Sequence, residues 1–171
     1  RKRISSLGNA ALWAAFLTAA FGAVAALIGT RGDRRWVDVS RRSAYSFFAL
    51  LLICAFALEY AFVTSDFSLS VVADHSSRET ELFYKFTAMW SSQEGSLLLW
   101  AFLLSAVTSA SLYFTREKLR DVVPWATAIM LGIGIFFTSL MLFGGGINPF
   151  DTLSEVPANG VGLNPLLLHP A

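Results

Sequence analysis

The sequence is poor in the residues and motifs that most often carry chemistry. It has one cysteine, Cys54, and two histidines among its 171 residues. A single cysteine excludes a disulfide framework and a cysteine-based metal site within the chain. Glycine-rich phosphate-binding motifs, an HExxH pattern and repeats of fixed period are also absent from the sequence. The enzyme classes that depend on those motifs are therefore set aside.

Charge is also scarce, and the two signs are balanced. Asp, Glu, Lys and Arg make up 15% of the residues and the formal net charge is +1. This composition favours neither nucleic acid nor an acidic ligand as a partner. Apolar residues are abundant instead, at 55%, and 15 of the residues are Phe. That share is too high for a soluble domain of this size and predicts an integral membrane protein.

Four runs are long enough to cross a hydrocarbon core about 30 Å thick as helices. They lie at residues 7–30, 43–63, 90–114 and 122–143. Asp121 is the predicted N-cap of the fourth helix, with Pro124 in its first turn. The first run is too long for the core of a signal peptide. The prediction is an all-α, polytopic integral membrane protein with four transmembrane helices, read as a piece of a longer protein.

The distribution of basic residues predicts the orientation. Eight Lys or Arg residues lie in the loops after the first and third spans, at 31–42 and 115–121, and five lie elsewhere, three of them in RKR. Under the positive-inside rule, both termini face outward, together with an outer loop at 64–89 and an outer tail at 144–171. The RKR run argues for the opposite orientation. A functional surface on the loop and tail would be extracytoplasmic.

The outer loop is predicted to lie on the membrane surface. Phe67, Leu69 and Val71 alternate with polar or small residues, which is the period of an interfacial strand. The following LFYKFTAM is typical of an amphipathic lead-in to the third span. We therefore expect a short strand and then a helix in this loop.

A few isolated side chains are candidates for chemistry. His75 and His169 could each be an axial ligand or a proton carrier, although a lone loop histidine is more often only solvated. Glu59 lies near the outer end of the second span. It is expected to snorkel to water or to pair with Lys85 or Arg78 rather than to relay protons.

The most informative stretch is WSSQEGSLLLW. On a helix at 100° per residue, one face collects Trp90, Gln93, Glu94, Leu97 and Trp100. A glutamate at the edge of the hydrocarbon needs a partner, water or a helix N-terminus. The two tryptophans are about 15 Å apart along a helix, so they cannot share one interfacial belt. A plainer interpretation fits as well: interface anchors, an acidic first turn and a small-residue packing step.

At WSSQEGSLLLW the sequence resembles the CcmF/NrfE family of cytochrome c biogenesis proteins. AFVTSDFSLSVVADHSS and ELFYKFTAMW upstream, and INPF and GLNPLL downstream, are similar to segments of that family in the same order. The resemblance covers nearly the whole chain and implies that residues 1–171 are the N-terminal part of a CcmF-like membrane domain. It places the protein in the plasma (inner) membrane of a cell, with its functional face on the periplasmic side.

The same resemblance implies the activity. The family takes haem from a carrier protein and promotes its thioether attachment to the CxxCH cysteines of apocytochrome c, beside other maturation subunits in the bilayer. Nucleic acid is not an implied partner. Any enzymatic role would be that of a haem lyase, or holocytochrome c synthase, component. The haem-binding part of the family is expected beyond this chain.

Five residues match the family motif: Trp90, Glu94, Gly95, Ser96 and Trp100. The resemblance suggests that they shape an outer-facing wall beside the haem and apocytochrome site, with Glu94 hydrogen-bonded to a neighbouring span or loop. His169 departs from the family pattern, so no ligand role is carried over to it, and the tryptophan-rich haem loop of the family has no counterpart here.

Two other functions stay open. A haem transporter or exporter would be expected to carry buried charges and broken helices near the bilayer midplane. The acidic residues of these spans lie near one surface instead, which favours chemistry or docking at the outer face. A structural subunit that holds a haem-binding partner would give the same sequence pattern.

Overall fold

The computed structural model describes residues 2–115, 118 and 121–163, apart from the side chain of Lys2. This part of the chain forms the helices α1 (Lys2–Gly29), α2 (Arg34–Val63), α3 (Ser70–His75), α4 (Leu82–Ser91), α5 (Gln93–Phe114) and α6 (Val123–Phe143). Four of them, α1, α2, α5 and α6, are long and apolar enough to cross a membrane. The prediction of an all-α, multi-pass membrane protein with four transmembrane helices is confirmed.

The four long helices pack as an antiparallel bundle, in which α1 and α5 each contact both α2 and α6. Glycines mark the closest approaches. Gly22 of α1 lies against Ser43 of α2 and Leu131 of α6, and Gly134 of α6 lies against the ring of Phe47. Lipid is as apolar as the side chains, so helices in a membrane gain stability from such close packing.

Cys54 belongs to the buried core of this bundle. Its side chain is fully buried, and its thiol donates to the carbonyl oxygen of Gly8 at 3.8 Å. It is a free cysteine. The residue therefore packs as a small apolar side chain between α1 and α2, as its position within an apolar run indicates.

The basic segment after α1 is largely helical and is not a loop. After a tight turn, α2 begins at Arg34 rather than at Ser43. Asp33 caps it, since Oδ1 accepts from the backbone N–H two residues on at 3.0 Å. Asp38 and Arg41 form an exposed ion pair one turn apart at 2.5 Å. We call this turn and the first turns of α2 the basic end of the bundle.

The start of α6 differs by one residue from the prediction. Val122 occupies the N-cap position, with no side-chain hydrogen bond, and Pro124 lies in the first turn. Asp121 lies in the preceding turn, so the prediction that it is the N-cap is wrong. Proline favours the first helical positions because it lacks an N–H there and its φ is already helical, so Pro124 sets the start.

At the opposite end the connection from α2 to α5 contains α3 and α4. The strand predicted from the alternation of Phe67, Leu69 and Val71 is wrong. Leu69 makes one isolated antiparallel bridge with Thr152, and the chain then turns into α3. A strand needs a ladder of paired residues, whereas these three side chains are simply buried together. LFYKFTAM is helical, as predicted.

The helix directions bring two segments to the same end of the bundle. The start of α1, the end of α2, the start of α5 and the end of α6 all lie there, because neighbouring helices are antiparallel. The connection 64–92 and the tail 144–163 are therefore neighbours. We call this the capped end.

Candidate functional site

The motif WSSQEGSLLLW is divided between two helices. Ser92 is the C-cap of α4 and the N-cap of α5, with an extended ψ of 151°. Its Oγ accepts from the N–H of Gly95 at 3.1 Å and donates to the carbonyl oxygen of Met89 at 2.9 Å. The expectation of one helical face from Trp90 to Trp100 is therefore wrong, because a serine N-cap interrupts the helix.

Gly95 makes this break possible. A Cβ at Gly95 would overlap the carbonyl oxygen of Met89 and crowd the side chain of Ser92. The last turn of α4 therefore lies directly on the first turn of α5, and Gly95 is buried in the joint. The sequence analysis interpreted the Gly-Ser pair as a packing step but did not identify Ser92 as an N-cap. The signal for it is a serine just before a long apolar run, which is typical of a helix start.

Glu94 lies in the first turn of α5, where the helix dipole favours a negative charge. The residue is half-buried, and its Oε2 is buried without a hydrogen-bond partner among the described residues. Ser96 Oγ donates to the carbonyl oxygen of Gln93 at 3.0 Å, within the same helix. The hydrogen bonds expected from Glu94 to a neighbouring span or loop are thus not made within this part of the chain.

The two tryptophans lie on separate helices. Trp90 lies in the last turn of α4, is 49% exposed and packs against the ring of Phe86 with centroids 5.6 Å apart. Trp100 lies about two turns into α5 and is 62% exposed on the side of the bundle. Neither ring is enclosed by the described residues. Both offer an aromatic surface to lipid or to another protein segment.

The tail closes the capped end through Phe150. This side chain is fully buried, and its ring fills the space where a Cβ of Gly8 would lie. The backbone oxygen of Phe150 accepts from Ser5 Oγ at 2.9 Å, and Asn148 Nδ2 donates to Asn9 Oδ1 at 2.8 Å. The INPF segment therefore anchors the tail to the start of α1, a role that the sequence analysis did not assign to it.

The rest of the tail runs over the connection between α2 and α5. Backbone bonds join Ser70 N to Asp151 O at 3.0 Å and Leu153 N to Ser68 O at 3.1 Å. Further along, a Cβ at Gly160 would overlap the carbonyl oxygen of Ser76. The tail is therefore fixed at several points along α3.

His75 is the histidine that the structure describes, and it closes α3. Its Nδ1 lies 3.1 Å from the carbonyl oxygen of Val71 in the same helix, and the side chain is half-buried. Among the described residues, no group of three or more His, Cys, Asp or Glu side chains could hold a metal ion. His169, the other weak ligand candidate, lies outside the described residues.

Glu59 does not pair with the cations proposed for it. Lys85 Nζ donates to Ser65 Oγ at 2.8 Å, and the guanidinium of Arg78 lies 6.0 Å from the centroid of the Phe67 ring. Glu59 Oε1 is buried and has no hydrogen-bond partner among the described residues. The predicted ion pair is wrong because both cations are engaged with other partners.

The chain is similar in sequence to bacterial cytochrome c biogenesis proteins. It is 39% identical over 171 residues to "cytochrome c-type biogenesis protein ccl1" of Rhodobacter capsulatus, a match covering 98% of this chain and 25% of the relative. It is 37% identical over 166 residues to cytochrome c-type biogenesis protein CcmF of Pseudomonas aeruginosa, covering 96% and 25%. A probable NrfE of Escherichia coli is 34% identical over 140 residues, covering 80% and 25%. No protein-family model matches the chain.

The fold is similar to a solved structure of the same kind. The structure titled "Cytochrome c Heme Lyase CcmF" superposes with a TM-score of 0.77 and 29% sequence identity, covering 89% of this chain and 25% of the solved one. The chain therefore spans about a quarter of the length of the relatives that it matches.

Proposed function

Because the chain belongs to the CcmF/NrfE family of cytochrome c-type biogenesis proteins, we propose that it takes part in cytochrome c maturation. In this proposal the full-length protein receives haem and promotes its covalent attachment to the CxxCH cysteines of apocytochrome c. One observation carries the proposal. Sequence identity of 39% over 98% of this chain coincides with a TM-score of 0.77 to a haem lyase structure over 89% of it.

The capped end is the surface that we assign to this function. Trp90, Glu94, Gly95, Ser96 and Trp100 are proposed to form or support a wall beside the haem and apocytochrome site. The unpartnered Oε2 of Glu94 supports this assignment, since a buried carboxylate oxygen is costly unless another segment donates to it. Gly95 would then act by holding α4 against α5, so that Glu94 is presented in a fixed position.

Haem enters this proposal as the substrate. His75 is the single histidine among the described residues, and its Nδ1 lies against the carbonyl oxygen of Val71 in its own helix. We therefore assign no haem ligand and no bond-forming step to these residues. Their proposed contribution is to position the wall and the cap.

The proposed partners follow from the same assignment. They are apocytochrome c, a haem carrier protein and the other membrane subunits of cytochrome c maturation, within the lipid bilayer of the inner membrane. The exposed aromatic side chains of α4 and α5 are suited to contacts of this kind, because aromatic residues are enriched in protein interfaces and at membrane surfaces.

We place the capped end on the periplasmic side. The arginines of the basic end support this orientation under the positive-inside rule. In the full-length protein in intact cells, Asp74→Cys at the capped end is expected to react with a membrane-impermeant maleimide. Arg31→Cys at the basic end is expected to react only after lysis, and the buried Cys54 supplies the unlabelled background. If Arg31→Cys reacts in intact cells and Asp74→Cys does not, the orientation is the opposite of the one proposed.

A chimera tests the function. The residues of the Pseudomonas relative that match this chain are replaced by this chain, and covalent haem on a reporter cytochrome c is measured in cells that lack their own copy. Attachment is expected at a yield comparable to that of the relative. A chimera that is present in the membrane at normal level and attaches no haem would exclude a shared function.

The same chimera tests Glu94. Glu94→Gln removes the charge with little change in size, and we expect holocytochrome c yield to fall several-fold, as the loss of a charged hydrogen bond at a buried site predicts. Glu155→Gln, on the exposed tail, is the matched control and should leave the yield unchanged. If Glu94→Gln gives the same yield as the unsubstituted chimera at the same protein level, Glu94 has no role in the proposed wall.

A further inference from the structure

A groove runs along the side of the bundle between α1 and α2, near the capped end. It has a volume of about 580 Å³. The lining side chains are Ile4 and Leu7 of α1, and Ile53, Phe56, Ala57, Glu59, Tyr60 and Val63 of α2. Apart from Glu59 and the hydroxyl of Tyr60, the lining is apolar. The groove is therefore an apolar surface that contains one acidic group.

The α2 part of the lining has the spacing of a helix contact. Ile53, Phe56, Tyr60 and Val63 recur every three or four residues, which places them on one face. This face is opposite the one that α2 buries in the core, and Phe56 on it is 67% exposed. A membrane-spanning helix that is apolar on both faces can meet either lipid or a second layer of helices, so the neighbour of this face has to be identified from its one acidic group.

Glu59 indicates what the second layer supplies. Its Oε1 is buried and has no hydrogen-bond partner in the described part of the chain. Oε2 is not among these buried atoms, so snorkelling would bring that oxygen to water and leave Oε1 without a donor. The cations of the neighbouring connection, Lys85 and Arg78, are engaged with Ser65 and Phe67. An acidic group within a membrane-spanning segment is costly without a partner, which favours a cationic group on whatever fills the groove.

The similarity to longer proteins indicates where such a helix can come from. The matched relatives are about four times as long as the match, so most of their length lies outside the part that this chain represents. A helix within the same polypeptide reaches the groove without having to find a separate partner in the bilayer.

We propose that the groove of α1 and α2 is the docking site for a further membrane-spanning helix of the full-length polypeptide, and that this helix carries a Lys or Arg that pairs with Glu59. The apolar stripe of α2 supplies the packing surface, and Glu59 fixes the depth and rotation of the docked helix. This inference concerns assembly within the membrane and does not depend on the haem chemistry proposed above.

Photo-cross-linking in the full-length protein in its native membrane tests the inference. A photoreactive residue replaces Phe56 in the groove, and the same residue at Ile129, exposed on α6, is the matched control. We expect the probe at position 56 to attach to a membrane-spanning segment of the same polypeptide, within one helical turn of a Lys or Arg, as identified by mass spectrometry. Attachment only to lipid, only to another protein, or to a segment without a nearby cation would overturn the proposal.

Charge substitutions at Glu59 complete the test. Glu59→Gln and Glu59→Leu are each expected to lower cross-linking from position 56 by about tenfold, the order expected when one polar contact between membrane helices is lost, and to leave position 129 unchanged. The double exchange, Glu59→Lys with the identified cation replaced by Glu, is expected to restore it. If Glu59→Gln cross-links like the native protein, or the double exchange restores nothing, the ion pair is excluded even where a single variant is unstable.

Discussion

The two ends of the helical bundle are built in different ways. At the basic end, the contacts join residues close in sequence, such as the cap from Asp33 and the ion pair between Asp38 and Arg41. At the capped end, hydrogen bonds join Ser5 to Phe150, 145 positions apart, and the backbone of Arg78 to the side chain of Asn159, 81 positions apart. The basic end is therefore specified by local interactions, whereas the capped end forms only when the whole bundle is assembled.

This difference has consequences for stability. Damage to a local contact loosens one turn of helix, whereas damage to a long-range contact separates the tail, the connection and the start of α1 together. Substitutions at the capped end should therefore cost more free energy of unfolding than substitutions at the basic end. The capped end also holds the candidate site, so its integrity and the geometry of Glu94 are linked.

The largest effect is expected for Phe150→Ala. Removing a fully buried aromatic side chain leaves a cavity against Gly8, and the free energy of unfolding should fall by about 3–5 kcal/mol. The measurement is denaturant titration of the protein in bicelles, with limited proteolysis of the tail as a second readout. Protease should cut the tail of the variant faster than it cuts the native tail.

Phe136→Ala is the matched control for this substitution. Phe136 is exposed on α6, so its truncation leaves no internal cavity, and it should change stability much less. Similar losses for the two variants, with no change in proteolysis of the tail, would show that Phe150 does not hold the cap closed.

A smaller loss of unfolding free energy than for Phe150→Ala is expected for Gly95→Ala. The added methyl group would overlap the carbonyl oxygen of Met89, so α4 and α5 must separate, at a cost of about 1–3 kcal/mol. Gly132→Ala is the control, because nothing lies near a Cβ at that position and alanine favours the helix. Both variants are compared by the same denaturant titration. Equal stabilities for Gly95→Ala and the native protein would mean that the joint at Ser92 is loosely packed.

The contrast between the two ends also explains how far sequence reasoning reached. The four spans could be predicted because length and apolar content are local properties, which each run carries by itself. Pro124 was placed correctly in the first turn of α6 because the preference of proline for that position is also a local property. Asp33 was not identified as a cap because the basic segment around it was predicted to be a loop. Arginine is a good helix former, and most of this segment is helical.

At the candidate site the prediction was less complete. The motif from Trp90 to Trp100 was identified, but the break at Ser92 was not, because the apolar run beyond it favours one continuous helix. The alternation at Phe67 and Leu69 suggested a strand, and only the tail at Thr152 shows that a single bridge forms there. The anchoring role of Phe150 depends on Ser5 and Gly8, and no local pattern indicates a contact over that distance.

The smallest effect is expected for Asp33→Ala at the basic end. Loss of this exposed N-cap should lower the free energy of unfolding by about 0.5–1 kcal/mol, because one hydrogen bond to the first turn of α2 is lost and water replaces it. Asp38→Ala, which removes one partner of an exposed ion pair, should cost less still and serves as the control. Hydrogen exchange should show fraying confined to the first turn of α2. A loss as large as that of Phe150→Ala, or faster exchange at the capped end, would mean that the two ends are coupled and that the basic end is not a local structure.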